Sequence, residues 1–178
     1  MTVDTHRDNP QLWAGFQLLT VFGLGTLRPA SGTWGSLPPV LLAGALLALG
    51  ASPGVWFGVL LGVLILFAGA CVVLGDHAEA RWGKDPSNVV ADEVAGMSVT
   101  LLLAPPALLQ DPARAPIALL AAFLLFRCFD IFKEIAPPAR GIQRVRGGWG
   151  VLLDDLISGV YAGVALWVIS GLLTLMAA

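Results

Sequence analysis

Apolar residues run in long blocks along this chain, and the polar ones are gathered between the blocks. From Pro29 to Gly75, 47 consecutive residues carry no charged side chain. A buried strand takes ~4–8 apolar residues and a buried helix about a dozen, whereas a bilayer crossing takes about 20. The block therefore holds two crossings and a turn, which Ala51-Ser52-Pro53-Gly54 marks. The first crossing, Leu37 to about Leu49, is short unless the Ser31–Ser36 stretch is partly immersed. The second, Val55 to Gly75, has 21 uncharged residues, about 31 Å at ~1.5 Å each, which matches the ~30 Å hydrocarbon layer.

The same pattern continues on both sides. Gln11 to Leu27 is uncharged, with Leu12, Trp13, Phe16 and Leu19 at near-helical spacing, which predicts a short helix at the membrane interface. Val94 to Leu109 is a short span or a re-entrant hairpin. Ile117 to Phe132 is a further span, with Arg127 and Asp130 in its last turns. Leu156 to Ala178 is a final span without charge. The expected fold is all-α: a polytopic membrane helix bundle of four to five transmembrane or re-entrant segments plus the N-terminal interfacial helix. Residues 1–10 form a polar tail without the basic region or cleavage site of a signal peptide. Residues 11–178 form one membrane-embedded domain.

Charge refines this picture. Among 178 residues there are ten Lys or Arg and twelve Asp or Glu, a net charge of −2, with a mean hydropathy of +0.81. This balance, without a basic tract, gives no reason to expect nucleic-acid binding. Cys71 and Cys128 lie in apolar stretches and read as packing residues. With a cytoplasmic N-terminus, Arg7, Arg28, Arg81, Lys84, Lys133, Arg140, Arg144 and Arg146 fall inside and Arg114 outside. That asymmetry satisfies the positive-inside rule. It predicts a multi-pass protein of a bacterial cytoplasmic (inner) membrane, with the polar strips on the cytoplasmic side.

Four separated pieces meet on that side. Arg28 and Ser31-Gly32-Thr33-Trp34-Gly35-Ser36 form a stretch dense in glycine and hydroxyls, either a phosphate cradle or a turn and helix cap. Asp92-Glu93 sits at the mouth of an apolar segment, where an ionisable pair is expensive and points to function. Arg127, Asp130 and Glu134 share one helical face with Lys133 close by, either as a self-neutralising span end or as a metal ligand, Asp130, beside phosphate-gripping cations. Asp154-Asp155 follows Gly147-Gly148-Trp149-Gly150. Neighbouring helical residues point ~100° apart, so only one of these two carboxylates should meet a given ion directly, and Asp154 is preferred. Oxygen ligands of this kind suit Mg²⁺. His6 and His77 play no part in this scheme.

These pieces, in this order, resemble the phosphatidylglycerophosphatase A family of bacterial membrane lipid phosphatases. The likeness lies in Phe22-Gly23 through Gly32-Thr33-Trp34-Gly35-Ser36-Leu37, Asp92-Glu93-Val94-Ala95-Gly96-Met97, Phe126-Arg127 with Asp130 and Lys133, and Gly147 to Val151 with Asp154, Asp155 and Gly159. It implies Mg²⁺-dependent hydrolysis of the terminal phosphomonoester of phosphatidylglycerophosphate, giving phosphatidylglycerol and phosphate. The site expected is Asp92, Glu93, Asp130, Asp154 and Asp155 as catalytic metal ligands, with Arg28, Ser31, Gly32, Thr33, Ser36, Arg127 and Lys133 around the phosphate. Attack by activated water ranks ahead of an aspartyl-phosphate, because the Asp-x-Asp-x-Thr/Val signature is missing. The partners are the bilayer and its phospholipid substrate. Two rivals are a CDP-alcohol phosphotransferase, whose longer acidic motif is not seen, and a small carrier or channel, which should carry charges near mid-membrane.

Overall fold

The computed structural model describes residues 10–84, 86–132 and 148–176, which form helices and turns without a strand among them. In these residues seven α-helices follow one another: α1 (Pro10–Leu19), α2 (Ser31–Ala48), α3 (Pro53–Trp82), α4 (Ala91–Leu103), α5 (Pro106–Leu109), α6 (Ala115–Ile131) and α7 (Gly148–Met176). A single 3-10 turn, Leu24–Thr26, precedes α2. The fold class is therefore all-α. Lys133, the rest of the polar strip to Gly147, and the tail before Pro10 lie outside the described residues.

Local chemistry sets the helix ends. The Ser52 side chain accepts a hydrogen bond from the Val55 N–H at 3.4 Å, and Pro53 opens α3, where its lack of an N–H costs nothing. Gly83, at φ 92°, closes the same helix in a backbone conformation that side chains disfavour. Pro105 and Pro106 follow the end of α4 and deny the helix its next donors, so the expected Val94–Leu109 segment divides into α4 and the single turn of α5.

Two boundaries differ from the sequence expectation. The interfacial helix stops at Leu19 rather than Leu27, because Val21 and Phe22 turn the chain in left-handed conformations, φ 48° and 54°. Its Phe16 and Leu19 are buried, and the Phe16 ring lies 5.0 Å from that of Trp82 on α3. The helix expected to form the first crossing begins at Ser31, not Leu37. Gly32, Gly35 and Ser36 are small enough to bury the start of α2 against α4; a Cβ at Gly35 would lie 2.7 Å from the Val90 Cβ. Helix α2 continues through Pro38 and Pro39 although neither can donate a backbone hydrogen bond. At 18 residues it is about 27 Å long.

Helix α4 is the centre of the bundle, packed by α2, α3, α6 and α7. It is buried almost all round: Ala91, Asp92, Val94, Ala95, Gly96, Met97, Ser98, Thr100 and Leu101 have little or no exposure. Such a helix is normally apolar on every side, so the two acids in its first turn stand out. By contrast, α3 and α7, with 30 and 29 residues, are long and apolar enough to cross a bilayer, and less than a third of the most apolar stretch of each is buried. Their outer faces carry Phe57, Leu61, Ile65, Val164, Val168 and Leu172. Cys71 is buried as expected, whereas Cys128 is exposed on α6 and does not serve packing.

Candidate active site

Three carboxylates converge at one end of the bundle. Asp92 and Glu93 come from the first turn of α4 and Asp155 from α7, and one oxygen of each lies within 4.8 Å of the others. Asp92 and Asp155 are buried, and Glu93 Oε2 is buried without a hydrogen-bond partner among the described residues. Like charges at this spacing, withdrawn from water, repel strongly unless a cation or protons offset them. Hard oxygen donors held this way fit a divalent metal, and the three side chains together could hold one. The sequence brings forward both Asp154 and Asp155 and favours Asp154 for direct contact with an ion. In the fold Asp155 joins the trio, and Asp154, also buried, stands outside it on the next face of α7.

Two further elements press on the trio. Gly32, in the first turn of α2, lies against Glu93 and Arg127: a Cβ there would collide with Glu93 Oε1 and approach the two terminal guanidinium nitrogens of Arg127 at 2.9 and 3.0 Å. Arg127, on α6, donates to Asp130 Oδ2 at 2.7 Å, with both side chains mostly buried. The Arg127 Nε is buried without a hydrogen-bond partner among the described residues. Asp130 is thus the counter-ion of Arg127 and is not one of the three clustered acids. The stretch from Ser31 to Ser36 is not a loop but the first turns of α2, so its free N–H groups and dipole, rather than a glycine-rich cradle, are what it offers an anion. The Ser36 hydroxyl is spent within the helix, donating to the Gly32 carbonyl at 2.7 Å.

Arg28 braces the turn before α2. Its guanidinium donates to Ser87 Oγ and Asn88 Oδ1, both at 2.9 Å, and to the Gly25 carbonyl at 3.2 Å, tying the turn before α2 to the segment before α4. Arg28→Ala is therefore expected to lower the unfolding free energy by about 0.5–1.5 kcal/mol. Thermal melting and steady-state kinetics check this: stability should fall while KM for a lipid phosphate changes less than about threefold. A KM rise of an order of magnitude would instead make Arg28 a substrate ligand.

The residues that hold the trio together are glycines. A Cβ on Gly96 of α4 would lie 2.5 Å from the Asp155 carbonyl oxygen and 2.7 Å from Phe126, and one on Gly159 of α7 would collide with the Gly96 carbonyl. A Cβ on Gly163 would meet the Leu103 Cβ at 2.6 Å. Thr100 donates across the same seam to the Gly159 carbonyl at 3.2 Å. Sequence reasoning noted Gly96 and Gly159 only as parts of motifs. Their signal is a matched spacing: Asp92, Gly96 and Thr100 on one helix, Asp155, Gly159 and Gly163 on the other, each four residues apart. Small residues at that interval let two helices touch backbone to backbone, and each carboxylate then lies one turn before the contact.

Comparison with known proteins fits this arrangement. The family model described as phosphatidylglycerophosphatase A matches residues 17–170. The chain belongs to the phosphatidylglycerophosphatase A family. It is 33% identical over 154 residues to the phosphatidylglycerophosphatase A of Haemophilus influenzae, covering 83% of each chain. It is 31% identical over 110 residues to that of Escherichia coli, covering 60% of this chain and 59% of the relative. A Bacteroides thetaiotaomicron protein with the provisional name phosphatidylinositol-3-phosphatase is 39% identical over 155 residues, covering 84% of this chain and 92% of the relative. No solved structure matches the chain. As a member of the phosphatidylglycerophosphatase A family this is a lipid phosphatase, and the residues matched by the family model, 17–170, take in most of the described bundle.

Proposed function

We propose that this protein hydrolyses the terminal phosphomonoester of phosphatidylglycerophosphate, with Mg²⁺, at the cytoplasmic face of a bacterial inner membrane. The observation that carries the reading is the buried Asp92–Glu93–Asp155 trio with Arg127 and the start of α2 beside it. In this reading α2, α3, α4 with α5, α6 and α7 cross the membrane and α1 lies at its surface. Trp13, Phe22, Trp34 and Trp149, all exposed at the end of the bundle that holds the acids, suit the lipid headgroup zone. The acids lie at one end of their helices rather than midway, which favours a phosphatase site over an ion path.

Asp92, Glu93 and Asp155 would hold Mg²⁺, which when bound offsets phosphate charge and acidifies water in the site. The chain's own groups do the rest. Arg127 donates to the phosphate oxygens, and Asp130 fixes the direction in which it does so. The first N–H groups of α2, at Ser31 and Gly32, and the hydroxyl of Thr33 in the same turn serve the same anion. Burial of the acids excludes bulk water and strengthens every charge interaction made there. Lys133 would add a second cation from outside the described residues.

Phosphatidylinositol 3-phosphate is the competing substrate, on the strength of the 39% identical relative's name. Phosphate release from each lipid in detergent micelles, with Mg²⁺ and with a chelator, separates the two. The expected result is a kcat/KM for phosphatidylglycerophosphate at least about tenfold higher, lost on chelation. The opposite preference would assign the inositol lipid, and full activity in chelator would remove the metal from the scheme.

A further inference from the structure

At the end of the bundle away from the acids lies a cavity of about 690 Å³ between α2, α3, α5, α6 and the end of α4. Its wall includes Leu47, Trp56, Phe57, Leu102 and Leu119, and it has no charged side chain; Gln110 is polar and exposed. The volume falls within the ~300–1,000 Å³ range of small-molecule sites. An apolar wall of this kind is a poor host for water, which needs two or more polar partners. Three helices show that the cavity and the acids are far apart. On α2 the acids meet Gly32 and the cavity begins at Gly44; on α4 they occupy the first turn and the cavity reaches Leu102; on α6 Arg127 is near one end and Ala115 at the other. Twelve residues of α2 separate the two, about 18 Å.

We propose that this cavity binds one acyl chain of a membrane phospholipid entering from the leaflet opposite the active site. The lining is complementary to an uncharged aliphatic chain and to little else. The cavity is continuous with the apolar outer face of α3 through Phe57, half exposed, so a lipid can enter sideways. Trp56 supplies the second pointer: its ring lines the cavity and is nine-tenths buried, and its indole N–H, covered in this structure, has no hydrogen-bond acceptor among the described residues. A glycerolipid brings ester carbonyls, acceptors of the kind this donor lacks, along with the chain. The substrate's own chain is the alternative source. It starts from a headgroup at the acids, in the other leaflet, and about 18 Å uses up most of its reach. The inference rests on the membrane-crossing reading of α3 and α7.

The test uses the full chain in phospholipid vesicles containing phosphatidylethanolamine with a photoreactive diazirine on one acyl chain. After irradiation, peptide mapping by mass spectrometry should find adducts on Leu47, Trp56, Leu102 or Leu119. Ala48→Trp and Ala51→Trp, which narrow the cavity from its rim, should each reduce these adducts roughly fivefold or more and leave lipid phosphate hydrolysis intact. Excess lipid phosphate substrate should leave them unchanged. Adducts confined to the outer faces of α3 and α7, or equal cavity labelling in both tryptophan variants, would overturn the proposal. So would competition by substrate, which would make its own chain the occupant. Vesicle flotation keeps the two readings apart: a chain that does not float refutes the membrane reading and this proposal with it, and one that floats without cavity adducts refutes this proposal alone.

Discussion

Asp155→Asn is expected to lower kcat for Mg²⁺-dependent phosphate release by about 10²–10³-fold, and Asp154→Asn by only about 10–100-fold. The substitutions are the same size and one residue apart, both on a buried stretch of α7, so a general effect on folding would not tell them apart. The difference comes from direction. Asp155 brings its oxygen within 4.8 Å of those of Asp92 and Glu93, and Asp154 does not join them. The amide removes one of three crowded negative charges, so Asp155→Asn should melt no lower than the wild type in chelator. The wild type should gain stability on adding Mg²⁺, by about 2.7 kcal/mol at a concentration 100 times the Kd, and the variant should lose most of that gain. Melting with and without Mg²⁺, beside the phosphate assay, checks both parts. A larger loss from Asp154→Asn would transfer the metal-facing role to that residue.

That choice between neighbours marks the limit of what the sequence made legible. The apolar blocks predict the long helices, because an uncharged run of more than about 20 apolar residues has few other uses, and α3 and α7 appear where the charge-free runs lie. The acids at the mouths of apolar segments were legible for the same reason: an ionisable group there is too costly to keep without a use. The side of α7 that faces α4 was not legible from charge, since it depends on how the helix is rotated, and glycine contacts set that rotation. Likewise Ser31 to Ser36 has the composition of a loop. It becomes helix because its small residues fit against Val90 and Glu93, which local propensity does not register. Arg28 reads as a phosphate ligand on charge alone, and charge does not foretell the bonds to Gly25, Ser87 and Asn88 that the fold adds.

The glycine seam makes the other strong prediction. Gly96→Ala adds one methyl group where the Asp155 carbonyl oxygen is 2.5 Å from the new carbon and Phe126 is 2.7 Å away. A comfortable carbon–oxygen contact is about 3.3–3.6 Å, so α4 and α7 must separate by roughly 1 Å. The atom in the way is helix backbone and cannot turn aside as a side chain would. Overpacking of this kind costs about 1–3 kcal/mol of stability. The effect on the site should be larger in proportion, because Asp92 and Glu93 ride on one helix and Asp155 on the other, and a 1 Å misplacement can cost about 10²-fold in rate. Gly96→Ala should therefore remain folded in detergent yet lose roughly two orders of magnitude in kcat, with Mg²⁺ bound more weakly. Gly58→Ala and Gly62→Ala, on the open side of α3 with nothing within 4 Å of the added carbon, should leave both quantities unchanged. Full activity in Gly96→Ala would show that the α4–α7 contact does not set the spacing of the three carboxylates.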